Sequence, residues 1–272
     1  MQNAPFFVNT TSIKVVEVKE DGESSGDSKD KTEGKKMNPM MSGGFSFQAI
    51  IINRVKKFVE ECIKINPDLV VVGPENYLSE NLAGELRNRG LNVFGPDSEG
   101  AKLESSKEFM KEFCQSHNIP TAKSQTFVDF DEAKNYLESF SGPIVVKYDG
   151  LAAGKGVFVC TNTNEAIEAC EKIFIKKEFN QENNKVVIEE FIEGKELSFF
   201  TITDGNEYLN IGSAQDYKRV GNNDTGPNTG GMGTISPAPI LDNNLDMKIQ
   251  DQIVKKTIDG IKQDNIAFQG VI

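Results

Sequence analysis

The stretch VVKYDGLAAGKGVFV, residues 145–159, sets β-forming residues on both sides of a turn holding Gly150, Gly154 and Gly156. Valine, tyrosine and phenylalanine fit a pleated surface, and glycines reverse the chain between strands. The segment therefore reads as strand–turn–strand. Its glycines and lysines invite comparison with a P-loop, G-x-x-x-x-G-K-[ST], which runs from a strand into a helix N-terminus. Here three residues, not four, separate Gly150 from Gly154, Gly156 stands where a hydroxyl should follow the lysine, and the strand VFVC comes next. Spacing, chemistry and context all exclude a P-loop. A hairpin flap with exposed amides still suits phosphate, with Lys147 and Lys155 supplying charge. A plain surface hairpin explains the same residues equally well in isolation.

At 272 residues the chain exceeds one core of ordinary size, so two domains are expected. Ile13–Val18 reads as a strand, and residues 19–36, charged and without an apolar side chain, read as a disordered loop. From about Ile50 to Ile65, Val55, Phe58, Val59 and Cys62 fall on one helical stripe. The apolar run Leu69–Val72 suits a strand buried on both faces, ended by Gly73-Pro74. SENLAGELRNRG reads as a helix closed by Gly90, and LNVFGP as another strand. This alternation predicts an open parallel α/β sheet, in which Glu75 lies past a strand's C-terminal end, where ligands bind.

From about Ala101 the texture changes. KLESSKEFMKEFCQSH reads as one helix and DEAKNYLESF as another. Strands follow at Ile144–Lys147, Val157–Cys160, Val186–Phe191, Leu197–Thr203 and Tyr208–Ser213, interrupted by the helix NEAIEACEKIF. Asp204-Gly205-Asn206 joins the last two strands as a hairpin. This half is expected to be α+β with a largely antiparallel sheet. The predicted division is 1–100 and 101–272, with a disordered insert at about 19–44.

Two further segments carry candidate chemistry. In VVIEEFIEGKELSF, residues 186–199, successive strand residues face opposite ways, so one of Glu189 and Glu190 should turn inward toward the lysines. An inward glutamate could serve a bound nucleotide's amine or hydroxyls, whereas a solvated edge strand is the bland alternative. In DTGPNTGGMG, Gly226, Gly230, Gly231 and Gly233 crowd around Pro227, Asn228, Thr229 and Met232, behind Asp216, Lys218 and Arg219. That glycine density sacrifices much backbone entropy and points to a substrate-binding loop.

The net charge of −11 disfavours non-specific nucleic-acid binding. No apolar stretch is long enough to span a membrane, and the N-terminus lacks the pattern of a secretory signal. Cys62, Cys114, Cys160 and Cys170 form no CxxC pair, so reduced thiols in a cytoplasmic protein are expected. His117 alone supports neither a histidine-based zinc site nor a triad.

Together, VVKYDGLAAGKGVFV, VVIEEFIEGKELSF and QDYKRVGNNDTGPNTGGMGTISPAP closely resemble the phosphoribosylamine–glycine ligases, also called glycinamide ribonucleotide synthetases. The resemblance covers about Pro67 to Ile272, and the DTGPNTGGMG block is its most specific part. It implies an N-terminal substrate-side α/β domain followed by an α+β ATP-grasp domain. It further implies ATP-dependent joining of glycine to 5-phosphoribosylamine through a glycyl phosphate, in de novo purine synthesis. By matching positions, Lys107 and Lys147 would contact ATP phosphates or base, under a flap of Gly150, Gly154, Lys155 and Gly156. Glu189, Glu190, Phe191 and Ile192 would form the adenine hinge, and Glu196 would hold the ribose. Asp216, Lys218 and Arg219 are the expected catalytic residues. With Glu75 and Gly226–Gly233 they would face glycine and phosphoribosylamine.

Three departures accompany the resemblance. Residues 1–50 lack the family's Gly-Asn-Gly-Gly-Arg-Glu-His loop, and Tyr217 stands where a histidine is usual. The Mg2+ or Mn2+ ligands of the family are expected beyond Ile272, so the chain is expected to be incomplete at both ends. A truncated, non-catalytic nucleotide-binding protein is therefore the rival reading, followed by another ATP-grasp carboxylate–amine ligase. The resemblance also leaves room for fusion to other purine-pathway enzymes.

Overall fold

The computed structural model describes residues 47–152, 156–179, 184–222 and 225–272, and the side chains of 47–54, 227, 228 and 230 lie outside the description. The expected strand Ile13–Val18 and the insert at about 19–44 thus fall outside the described residues. Arg54–Ile272 form one compact unit.

Helix α1 (Phe47–Ile65) carries the predicted stripe: Val55 and Val59 are buried and Phe58 and Cys62 half-buried. They pack on Leu82, Ala83 and Leu86 and on the short parallel pair β1 (Val70–Val71) and β2 (Val93–Phe94). The two-sided burial expected for Leu69–Val72 is not found: Leu69 is 56% and Val71 64% exposed. Among the described residues this sheet has two strands, and the core lies on one side, where Val72 points.

The helix expected over SENLAGELRNRG is α3 (Leu82–Asn88), entered from Asn81, whose φ of 65° is left-handed. Gly90 follows α3 and donates its N–H to the Arg87 carbonyl at 2.9 Å, closing the helix as expected. A further short helix, α2 (Glu75–Ser79), precedes it and begins with Glu75, just past β1. The single helix expected over KLESSKEFMKEFCQSH is also two, α4 (Ser98–Ser105) and α5 (Lys107–Ser116). Ser106 breaks the run with extended φ −124° and ψ 115°, and its Oγ accepts from the Phe109 N–H at 3.2 Å. Serine competes for backbone groups in this way and so favours caps over helix interiors.

A second acceptor reinforces that break. Asp149 Oδ1 accepts from the N–H of Lys107 at 2.6 Å and of Glu108 at 3.2 Å, and the Ser106 hydroxyl lies 3.3 Å from both carboxylate oxygens. Orphan N–H groups at the start of α5 are thus satisfied from a distant part of the chain. This ties α5 to the root of the glycine hairpin.

That hairpin belongs to a four-stranded antiparallel sheet of order β3-β6-β4-β5. Its strands are β3 (Ser124–Phe127), β4 (Ile144–Tyr148), β5 (Val157–Cys160) and β6 (Val186–Glu190). Helices α6 (Phe130–Glu138) and α7 (Thr163–Phe174) cover one face. Leu137, Ala166, Cys170 and Ile173 pack there against Ile144, Val146, Val186 and Ile188. Strand alternation sends Val145, Lys147, Val187 and Glu189 to the opposite face.

A second antiparallel sheet, of order β10-β7-β8-β9, is formed by β7 (Ser198–Thr203), β8 (Tyr208–Gly221), β9 (Thr225–Ile235) and β10 (Gly270–Val271). Thr203 pairs with Tyr208 across the expected turn. The glycine block expected as a loop is instead strand β9, and β8 runs on to Gly221 to pair with it. Ladder pairing overrides the poor strand propensity of glycine, and register shifts flank Arg219, where the ribbon is irregular. Near the C-terminus, α8 (Asn243–Ile249) passes through a π-turn into α9 (Lys255–Gln263). Ile261 packs on Phe113 and Phe268, and His117 lies 2.8 Å from Asp264 as a structural residue.

The four cysteines are free. Burial pushes the Cys160 thiol up to about 11 and the Cys170 thiol up to about 12. Since the thiolate is the nucleophile, both should resist alkylation at pH 8 until denaturant is added, as mass spectrometry would show; labelling of either in the native chain contradicts this packing. Asp149→Ala should lower stability in urea by about 1–2 kcal/mol, the usual cost of a lost helix cap.

Candidate functional site

The register of β4 and β6 builds the site. Lys147 lies directly opposite Val187, and Val145 opposite Glu189, so Lys147 and Glu189 are diagonal neighbours on one face. Lys147 Nζ donates to Glu189 Oε2 at 2.9 Å. The Glu189 side chain is only 5% exposed, so of the two successive glutamates it is the one facing inward. Glu190 points the other way, and its Oε1 accepts from the Lys123 N–H at 2.9 Å, anchoring the start of β3.

Lys111 Nζ approaches the same Glu189 oxygen at 3.2 Å, with its side chain 7% exposed. Lys107 stands one helical turn earlier on α5, so both project toward the sheet. Lys107 Nζ donates to the Gly150 carbonyl at 3.0 Å. Burial holds the Lys107 ammonium below its usual range, opposed by Asp149 and reinforced by neighbouring Lys147. Three ammonium groups thus gather around one buried carboxylate. Buried charge is tolerated only when paired, and the excess of cations makes this face suited to a polyanion.

The root of the hairpin borders this cluster. Gly150 has φ 143°, and a Cβ there would come within 2.8 Å of the Tyr148 ring, so glycine alone fits. Gly156 closes the turn, its carbonyl accepting from the Tyr148 N–H at 2.8 Å. Gly154 and Lys155 lie outside the described residues. Beside Lys147, Val157 and Val159 of β5 stay 39% and 45% exposed, an apolar shelf next to the charged cluster. Phe191 is half-buried and Ile192 exposed just past β6.

Glu75 approaches the cluster from α2. It is close enough to hydrogen-bond Glu104, whose carboxyl is pushed up by burial and then by Glu75's charge, while Lys107 pulls it down. Sequence reasoning missed Glu104, Lys111 and Asp149. The four-residue spacing of Lys107 and Lys111, and the place of Asp149 directly after β4, were the available signals.

The remaining expected residues form a second group on the β8–β9 ribbon. Lys218 Nζ contacts Glu196 Oε1, so the expected ribose and substrate residues meet as an ion pair. Asp216 Oδ1 accepts from the Thr234 hydroxyl at 3.2 Å, and a Cβ on Gly231 would lie 3.2 Å from that oxygen. Thr229 Oγ1 donates to the Lys218 carbonyl at 2.8 Å. Tyr217 and Met232 are exposed, and Arg219 is half-buried opposite Asn228. Gly226 and Gly233 lie in β9, as do Pro227, Asn228 and Gly230, whose side chains are outside the description.

Among the described residues, no group of three or more His, Cys, Asp or Glu could hold a metal ion. The divalent metal expected from the resemblance therefore has no fitting site in the described residues, and no chemical step is assigned to it. No helix among the described residues is long and apolar enough to cross a membrane.

Comparison with known proteins matches the chain in two parts. Residues 32–104 match the phosphoribosylglycinamide synthetase N domain, and residues 105–272 match the phosphoribosylglycinamide synthetase ATP-grasp (A) domain. A chloroplastic phosphoribosylamine–glycine ligase of Arabidopsis thaliana is 49% identical over 211 residues, covering 78% of this chain and 40% of that protein. The bifunctional purine biosynthetic protein PUR2,5 of Pichia angusta is 44% identical, covering 79% of this chain and 27% of that one. The crystal structure of phosphoribosylamine–glycine ligase from Thermotoga maritima superposes with a TM-score of 0.67 at 34% identity, covering 78% of this chain and 52% of that one. The chain thus spans about half or less of the length of these relatives. With both domain models matched in order, the chain belongs to the phosphoribosylglycinamide synthetase family and carries its N-domain and ATP-grasp folds.

Proposed function

We propose that this chain binds ATP beneath the 150–156 hairpin and serves the ligation of glycine to 5-phosphoribosylamine. The observation that carries the reading is the cluster of Lys107, Lys147 and Glu189 at the root of a glycine hairpin, in a chain of this family. Residues 1–100 are proposed as the substrate-side domain and 101–272 as the ATP-grasp domain.

The exposed valines of β5 offer an apolar surface for a purine, and Glu189 to Ile192 border it as the hinge. Lys107 and Lys147 supply positive charge for the phosphates. Lys107 Nζ has donors beyond the one given to the Gly150 carbonyl, so it can meet a phosphate oxygen while tied to the hairpin root, which couples nucleotide binding to that root. Glu196 faces the ribose, and its ion pair with Lys218 links the nucleotide to the ribbon that carries Asp216, Arg219 and the Gly226–Gly233 segment. Glu75 completes the substrate side.

The chemistry has two steps. A glycine carboxylate oxygen attacks the terminal phosphorus of ATP, giving glycyl phosphate and ADP. The amine of phosphoribosylamine then attacks the glycyl carbonyl carbon, phosphate leaves, and the amine gives up a proton to form the amide. Converting an oxide leaving group into phosphate removes any need for an enzyme nucleophile. Catalysis then depends on charge stabilisation and exclusion of water, which lysines beneath a closing hairpin can supply. When bound, a divalent metal would add charge compensation on the phosphates.

Four free cysteines favour a reducing compartment and support a cytoplasmic setting. The bifunctional Pichia relative supports fusion to another purine enzyme as part of the same reading.

Calorimetric titration tests the nucleotide site. Lys147→Ala should weaken ATP binding about ten- to a hundredfold, the range for a charge-assisted hydrogen bond; unchanged affinity contradicts the site. ADP release that requires both glycine and phosphoribosylamine is the expected signature of the full reaction, and release with either one alone contradicts it.

A further inference from the structure

Lys111 is a buried cation of the cluster with no ligand-binding task. An ammonium has three N–H donors, and all three of its neighbours here are acceptors. Thr121 Oγ1 lies at 2.8 Å, the Ala122 carbonyl at 3.1 Å and Glu189 Oε2 at 3.2 Å. Two hydrogen bonds and one ion pair thus hold the Lys111 ammonium in place, away from the open face. What it holds is one oxygen of Glu189. The other, Oε1, is buried and has no hydrogen-bond partner among the described residues. A buried acceptor left without a donor is unfavourable, so the site favours a ligand that brings one.

We propose that Lys111 is a positioning residue that fixes Glu189 with Oε1 turned toward the six-position of the bound purine, setting a preference for an amino group there. The proposal rests on the nucleotide-binding reading above and adds the source of its base selectivity. An ionised carboxylate only accepts hydrogen bonds, so it pairs with the exocyclic amine of adenine and repels the carbonyl of a six-oxo purine. Lys147 cannot do this alone. It too bonds Oε2, but it stands at the edge of the open face, 25% exposed, where a phosphate competes for it. When Lys147 turns to the nucleotide, Lys111 remains, anchored by Thr121 and Ala122 away from that exchange. The register makes the arrangement stiff, because Glu189 sits within β6, paired on both sides by β3 and β4.

The test compares ATP with ITP, which carries an oxo group for the amine at that position and an N–H for the acceptor at N1, so the change in the ATP-to-ITP ratio between variants reads Lys111. The full chain, as wild type, Lys111→Met, Lys111→Arg and Thr121→Val, is titrated with each nucleotide. The wild type should prefer ATP by about tenfold or more, as expected for a site built to pair with one hydrogen-bonding group. Lys111→Met should weaken ATP binding roughly tenfold and leave ITP within about twofold, lowering the ATP-to-ITP ratio, while Lys111→Arg retains most of it. Thr121→Val removes one anchor of the ammonium without removing charge, and should move the ratio in the same direction by about two- to threefold. It decides the matter if Lys111→Met fails to fold. Equal weakening of both nucleotides would overturn the proposal, because a merely structural lysine would act on both alike. An unchanged ATP-to-ITP ratio in the folded variants would overturn it as well. A wild type that binds neither nucleotide overturns the nucleotide-binding reading itself, and the proposal with it.

Discussion

The burial of Glu189 is the constraint on which the rest of this site depends. A carboxylate removed from water must be paired, and here two ammonium groups approach the same oxygen, one from β4 and one from α5. Neither approach is local. Lys147 reaches Glu189 because antiparallel register sets them diagonally on one face, and Lys111 reaches it because Ser106 and Asp149 start α5 where they do. One face of the sheet is sealed by α6 and α7, while the other keeps its lysines, its buried acid and two exposed valines. The same strand alternation that builds the core thus also builds the charged face.

Much of this was legible in the sequence, for physical reasons that can be named. Runs of β-forming residues bounded by turn residues marked β4, β5 and β6 nearly to the residue, and adjacency alone required one of Glu189 and Glu190 to face inward. The failures share a cause. The break at Ser106 splits a pattern that is amphipathic throughout, and a serine's choice between cap and helix interior is decided by a partner 43 residues away, Asp149. Leu69 and Val71 are apolar yet exposed, because apolarity does not reveal how many elements cover a strand. Nothing local to Lys111 distinguishes it from other charged helix residues, and only the tertiary fold buries it.

The glycine block shows where composition misleads about form while still marking a special segment. Glycines suggested a loop, yet Thr225–Ile235 is a strand whose partner β8 supplies the missing order. At Gly231 the absent side chain leaves room for the Asp216 carboxylate, so glycine there serves close approach rather than chain reversal. The ribbon carries Asp216, Lys218 and Arg219, and the Glu196–Lys218 ion pair connects it to the chain that follows β6. The family match to residues 105–272 spans both groups of residues.

The central claim is that the lysines around Glu189, under the glycine hairpin, receive ATP. The most direct measurement is a crystal structure of the chain with a non-hydrolysable ATP analogue. Phosphate density should lie within hydrogen-bonding reach of Lys107 and Lys147, with the purine amine facing Glu189. Nucleotide density elsewhere, away from both lysines, would contradict it.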